Sequence, residues 1–267
     1  MGMMTRRGLL KNLLAGTAGW FLAHPLARTA LGMGDASLLR LGVLRYEGNW
    51  NSRPNAPRTV LEELQQRTSV LAWPEPVVVA ADEQAIFRCP FLWITGDQEM
   101  SPISEQAVEN LRRHLTFGGT LFADDTSGAA DSAFSRALRR ELGRVCPTRQ
   151  FEPLPHDHAV FRAYYFLSKA VGLRVVEPRL EGITMEERAV VIFSPNDLSG
   201  ALERDAGGQW RLEMDSKDPE DRTLALRLAV NLVIYAMTVN YKLDQVHISY
   251  RLRHPALYPE APPAGAP

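Results

Sequence analysis

The stretch that most constrains the fold runs from Phe91 to Asp125, FLWITGDQEMSPISEQAVENLRRHLTFGGTLFADD. Phe91–Thr95 is a short apolar run ending in Gly96-Asp97, the pattern of a buried strand entering a loop. Ser101-Pro102 predicts a helix start, with serine as N-cap and proline at the first helical position. Ile103, Ala107, Leu111 and Leu115 recur every four residues with Val108 beside them, so one helix face is apolar. Gly118-Gly119 stops that helix where left-handed backbone is wanted, and Thr120–Ala123 is a second apolar run ending in Asp124-Asp125. Strand, helix and strand joined this tightly make a βαβ unit with parallel strands and a right-handed crossover.

The same alternation extends to both sides. Leu38–Tyr46 reads as the first strand and runs into the turn-rich Glu47–Pro54 loop. Asn55 is placed to cap a helix whose buried face carries Val60, Leu61 and Leu64. Ser69–Trp73 and Val77–Ala80 are strand-like, the β-branched second run more so. A helix over Phe134–Val145 follows the central unit, and Ala189–Phe193 is a buried strand ending in Ser194-Pro195-Asn196-Asp197. Asp218-Pro219-Glu220-Asp221 opens a helix that runs to about Val239. Arg227 and Asn231 interrupt its apolar stretch, which makes it a core helix rather than a membrane span. Strands alternating with helices predict an α/β fold with a doubly wound, mostly parallel sheet.

No break in composition divides residues 37–254, which are read as one α/β domain, with 255–267 as a disordered Pro/Ala-rich tail. Residues 1–36 are read as a signal and linker outside the fold. Thr5-Arg6-Arg7-Gly8-Leu9-Leu10-Lys11 resembles the twin-arginine export signal, with Arg6 and Arg7 as its pair, and predicts a periplasmic protein. The following apolar segment is too short to span a bilayer, so no transmembrane helix is expected beyond an uncleaved signal. A net charge of −1 gives no electrostatic ground for nucleic acid as a partner. The arginines at 136, 139, 140, 144 and 149 read as the solvated face of a helix, and Cys89 and Cys146 as free, buried thiols.

Several segments resemble the bacterial family catalogued as domain of unknown function 4159. They are Gly48-Asn49-Trp50-Asn51, Phe91–Gly96, the Leu111–Leu115 helix end with Gly118 to Asp125, Asp157–Phe161, and Asn231–Tyr235. The resemblance implies a flavodoxin-like, class I glutamine-amidotransferase-like fold. It also implies an envelope protein partner, of the von Willebrand-type domain or MoxR-type ATPase systems that accompany many members. It implies no reaction.

Ligands of parallel sheets sit outside the carboxyl ends of the strands. That makes Trp50, Asn51, Arg53, Gly96, Asp97, Asp124 and Asp125 candidate ligand-binding residues, with Asn196 and Asp197 at a further strand end and His158 on a loop that could return to the same edge. The turn after Phe91–Thr95 holds no Cys or Ser, and Cys89 lies at the wrong end of that strand, so an amidotransferase nucleophile is missing. No phosphate-loop spacing is present, and no cofactor is expected. His156-Asp157-His158 with Asp124 or Asp125 reads either as a metal cluster or as a polar loop in which His158 caps a helix or bonds a backbone carbonyl, the second being favoured. Asp124-Asp125 reads either as an acid/base pair or, by preference, as residues engaged in capping and loop hydrogen bonding. The expectation is a non-catalytic ligand- or protein-binding module. The alternative is a hydrolase, metal-dependent in one version, acting on an envelope saccharide or peptide through Asp124, Asp125 and His158.

Overall fold

A computed structural model describes residues 38–253. The Arg6-Arg7 signal and the 255–267 tail lie outside the described residues. Seven strands form one sheet: β1 (Leu41–Arg45), β2 (Val77–Ala80), β3 (Phe91–Gly96), β4 (Thr120–Asp125), β5 (Glu152–Pro153), β6 (Glu181–Met185) and β7 (Arg188–Ser194). Their spatial order is β2-β1-β3-β4-β7-β6-β5. The first five of these in space are mutually parallel, and β6 and β5 add antiparallel pairings at one edge.

Alternate residues of each strand feed opposite faces, as the pleat requires. Leu41, Phe91, Trp93 and Phe122 enter one core, with α1 (Ala56–Arg67), α4 (Leu198–Ala201) and α5 (Asp221–Arg253). Leu44, Leu92, Ile94 and Leu121 enter the other, with α2 (Glu105–Thr116) and α3 (Ala133–Val145). Helices thus cover both faces, which is why the central strands read as unbroken apolar runs rather than alternating ones.

Some expected boundaries move. The Ser101 N–H is bonded to Glu47 O (3.0 Å), tying that segment to the loop after β1, and Ser104 caps α2 instead by accepting from Ala107 N (3.2 Å). Of Ser69–Trp73 only Ala72 pairs, in an isolated bridge to Leu39. Both β5 and β6 went unrecognised; β6 turns into β7 through Glu186 and Glu187, both with positive φ (49° and 64°). The α5 helix extends past Val239 to Arg253, and no helix among the described residues is long and apolar enough to cross a membrane. Cys89 and Cys146 are both free and buried, and burial pushes both thiols up.

Asn55 is the N-cap residue of α1, yet its side chain makes no capping bond. Glu203 supplies it from across the chain: its carboxylate accepts from Ala56 N (3.0 Å), Asn55 N (3.1 Å) and Asn55 Nδ2 (3.0 Å). Glu203→Ala should strand these buried donors and lower the unfolding free energy by roughly 1–3 kcal/mol. Urea unfolding reads the change as a shift in midpoint at constant slope.

Candidate functional site

The parallel registers bring the ends of β1, β3, β4 and β7 to one edge, while Cys89 and Gly118 precede β3 and β4 at the other. That C-terminal edge is not an open crevice. The loop from Tyr46 to Asn55 leaves β1 and crosses the ends of the neighbouring strands like a strap. Trp50 O accepts from Thr95 Oγ1 (3.0 Å) at the end of β3, and Ser52 Oγ bonds Thr126 Oγ1 (2.8 Å) just past β4. Arg53 then reaches the turn after β7, where its Nε and Nη2 donate to the two carboxylate oxygens of Asp197 (3.1 and 2.5 Å). Gly96 allows the close approach beneath the strap, since a Cβ there would stand 2.3 Å from both the Tyr46 hydroxyl and the Phe134 ring.

Beneath the strap lies a buried polar network. Asp124 is fully enclosed and accepts from Leu198 N (3.0 Å) and Ser199 N (2.7 Å), holding the first turn of α4. Trp93 Nε1 donates to Ser199 Oγ (3.2 Å), which ties β3 to the same turn. Asp197 sits with φ at 50°, in left-handed backbone that Asp tolerates better than most residues, and accepts from Gly200 N (2.7 Å). Asn196 pins the preceding loop through Val176 N, Glu177 N and Glu177 O.

Two carboxyls are therefore buried near one another, and of the two Arg53 bonds only Asp197. Burial pushes the Asp197 carboxyl up against the opposing pull of Arg53. Burial, and then the Asp197 charge, push Asp124 up to about 7, opposed by its bonds from Ser199 and Leu198. The two carboxyls titrate as a pair, both held above the ordinary carboxylate range chiefly by burial.

The sign follows from linkage. A carboxyl raised in the folded state binds a proton there between about pH 4 and 7, so its contribution to stability is lost as pH rises through that window. His114, pushed down to about 4 by burial and then by Arg188, acts in the opposite direction below its free value. Comparison with Asp124→Asn separates the two. The stability of the parent relative to Asp124→Asn should fall from pH 5 to pH 8, as read by thermal melts, and a difference independent of pH would rule out a raised carboxyl at this position.

The other expected site residues are divided by the fold. Asp125 accepts from Ser127 N (2.9 Å) and from the Ser132 hydroxyl, so it shapes the turn into α3. Asp97 accepts from Asn49 Nδ2 (2.8 Å) at the strap's near end, Trp50 is half-buried and Asn51 is exposed on the strap. His158 does not join them. Its Nδ1 accepts from Val160 N (3.2 Å), capping a short 3-10 turn at Ala159–Phe161, and its ring lies 5.3 Å from that of Tyr235. The Tyr235 hydroxyl accepts from Ala189 N, at the beginning of β7, so His158 belongs to the opposite edge of the sheet from Asp124. Among the described residues, no group of three His, Cys, Asp or Glu could hold a metal ion.

Beside the strap, on the α2/α3 face, a half-open cavity of about 480 Å³ enters the protein between the ends of β1 and β3. Its floor is closed core, with Leu44, Ile94, Leu111, Leu121, Leu138 and Leu142 each at most 3% exposed, and Tyr46, Glu47, Trp50, Asp82 and Ser101 surround its mouth. One wall carries Glu141, buried and accepting from Ile103 N (3.2 Å) and from Arg140 and Arg144. Sequence reading missed Glu141, although a carboxylate beside Leu138 and Leu142 on the apolar stripe of α3 was a visible signal. It missed Ser199 and Glu203 for want of any local pattern.

Fold and site together define an α/β protein with a mostly parallel, two-faced sheet whose carboxyl edge is strapped shut and flanked by a cavity. Residues 40–237 match the model of the family described as Domain of unknown function (DUF4159), and the chain belongs to that family. Comparison with curated proteins returns no match.

Proposed function

We propose that the chain is a non-catalytic ligand- or protein-binding module of the cell envelope, on a flavodoxin-like, class I glutamine-amidotransferase-like scaffold spanning residues 37–254. The parallel order β2-β1-β3-β4-β7 supports the scaffold, since it follows the 2-1-3-4-5 order of flavodoxin-like sheets. The observation that carries the functional reading is the employment of the acidic side chains. Asp124 and Asp125 are buried and hold backbone turns, and neither lines the cavity. The hydrolase alternative needs Asp124, Asp125 and His158 to act on one substrate, and His158 sits at the far edge of the sheet.

The test is native mass spectrometry of the full chain recovered from its own envelope fraction, paired with incubation against envelope saccharides and peptides. A bound molecule or stoichiometric partner recovered unchanged is the expected result. Time-dependent cleavage that disappears in Asp124→Asn would replace the module with the hydrolase. Location is tested separately. Replacing Arg6 and Arg7 by lysine should retain folded protein in the cytoplasm, and an unchanged periplasmic yield would remove the export reading. The envelope partner of von Willebrand or MoxR type belongs to the same proposal.

A further inference from the structure

The amino edge of the sheet, opposite the strap, carries a ridge of uncovered side chains. Five of the eight large apolar side chains exposed among the described residues stand there: Leu71, Phe87, Phe117, Tyr164 and Phe166. Phe117, at the end of α2, and Phe166, just past the loop that crosses α5, keep 81% and 86% of their exposure, so neither belongs to a core. The residues leading into β2, β1, β3 and β4 place the ridge. Leu39 N donates to Leu71 O (3.0 Å) and Trp73 N to Leu39 O (2.9 Å), while Thr120 N donates to Pro90 O (3.0 Å). The Phe87 ring lies 6.5 Å from that of His114 in the last turn of α2, and the Tyr164 hydroxyl donates to Arg67 O (2.5 Å) at the end of α1. Neighbouring strands stand about 4.8 Å apart, so their beginnings form one row.

The ridge is also cationic. Arg113 lies over the Phe87 ring (5.3 Å), Arg40 lies over that of Trp73 (4.9 Å), and Arg88, leading into β3, is exposed. None of the three has an ion-pair partner among the described residues. The acids of this edge are engaged or lie further along it. Glu75 is held by Arg58 (2.6 Å), Glu186 and Glu187 stand at the β6–β7 turn beyond β4, and Asp157 adjoins His158 beside β7. The net charge of −1 therefore conceals a positive stretch.

Two segments of chain also pass this edge. The described residues begin here at Leu38, so residues 1–37 join the fold at this edge, and α5 passes the beginning of β7 at Tyr235 and runs on to Arg253. A rigid protein partner would need a relief matching the ridge and both segments. A fluid lipid surface needs none, and its interface admits exposed aromatic side chains interspersed with arginines.

Resting on the binding-module reading, we infer that the amino edge docks on the surface of an anionic phospholipid bilayer. Leu71, Phe117 and Phe166 enter the interface, and Arg40, Arg88 and Arg113 face the head-group phosphates. Burial of the apolar side chains supplies affinity, and the arginines supply the preference for anionic lipid. The carboxyl edge, with the strap and the mouth of the cavity, then faces away from the lipid.

The probes are vesicles of phosphatidylcholine alone and of phosphatidylcholine with an equal part of phosphatidylglycerol, titrated at low salt into the full chain. The reporter is a fluorophore sensitive to its surroundings on Thr116→Cys, an exposed position beside Phe117, since Cys89 and Cys146 are buried. Its emission should shift to the blue with the mixed vesicles. The same label on Val175→Cys, exposed on a loop bonded to Asn196 at the carboxyl edge, should not respond. Phe117→Ser with Phe166→Ser, made in the labelled chain, should raise the lipid concentration at half-shift by roughly a hundredfold, about tenfold for each side chain. Arg88→Gln with Arg113→Gln should raise it about twentyfold with mixed vesicles and leave phosphatidylcholine unaffected. All four positions are exposed, so melting temperatures should stay at the parental value. Residues 1–37 are common to every variant, so differences among variants report the edge. A serine pair within threefold of the parent, indifference to phosphatidylglycerol, or a shift at position 175 instead of 116 would each overturn the assignment. So would a silent reporter at position 116, and a stable dimer of the full chain that the serine pair dissolves would then give the ridge to protein rather than lipid. The module reading survives all of these outcomes and falls only to turnover in the cleavage assay.

Discussion

Arg53→Ala is expected to lower the unfolding free energy by roughly 3–5 kcal/mol, the range for removing one partner of a buried ion pair. Arg53 ties the end of the strap to the turn after β7, and its side chain and that of Asp197 retain 21% and 2% of their exposure. Without the guanidinium, Asp197 and Asp124 face one another unneutralised. Both should then hold protons more strongly, so the variant should lose further stability as pH rises, where the carboxyls must ionise. Asp197→Asn keeps the left-handed turn and the bond from Gly200 N while deleting the charge. Combined with Arg53→Ala it should therefore restore part of the loss, a coupling that a double-mutant cycle measures. A single variant within about 0.5 kcal/mol of the parent would mean that the strap is held elsewhere.

The separation of these partners explains how much the sequence discloses. Phe91–Asp125 announces its fold because each signal is local: apolar runs of strand length, a helical repeat, and a glycine pair between them. Parallel pairing and the shared edge follow from that unit, and the structure has both. Arg53 and Asp197 stand 144 positions apart, and Asn55 and Glu203 stand 148 apart. No periodicity connects residues at such distances, so the strap and its bolt are illegible even though Arg53, Asp124 and Asp197 are each conspicuous at strand ends. The helix start shows a different failure. Ser101-Pro102 has the local pattern of a cap, but the tertiary bond from Ser101 N to Glu47 O ties it to the loop after β1, and Ser104 caps the helix instead. His158 follows a loop that could return to the acidic edge, but packing of its ring against Tyr235 holds it at the opposite one.

Asn231 carries the other large effect. It is fully buried in α5, an otherwise apolar stretch of helix, and each of its hydrogen-bonding positions is filled. Its Oδ1 accepts from Tyr164 N (3.1 Å) and Tyr165 N (2.7 Å), while Nδ2 donates to Val160 O (2.9 Å) and Tyr165 O (2.8 Å). The amide thus does for the 160–165 loop what a strand neighbour would do, in a segment that lacks regular pairing. The sequence predicts that this residue either bonds a backbone group across the interface with the sheet or points to solvent. The partner is instead the loop that crosses α5. Asn231→Leu conserves volume but strands two N–H and two C=O groups, each at roughly 1–3 kcal/mol if water cannot reach it. Allowing for relaxation of the loop, the expected loss is about 4 kcal/mol, or a fall in melting temperature of roughly 8–16 °C. Asn231→Asp separates the amide's two roles. The carboxylate can still accept from Tyr164 and Tyr165, but its second oxygen faces two carbonyls, so it should take up a proton to donate to one of them. Its deficit should therefore be smaller at pH 5 than at pH 8, whereas the leucine deficit should not vary in the same way. Melts of both variants at the two pH values decide it, and a leucine variant as stable as the parent would show that the 160–165 loop does not depend on this side chain.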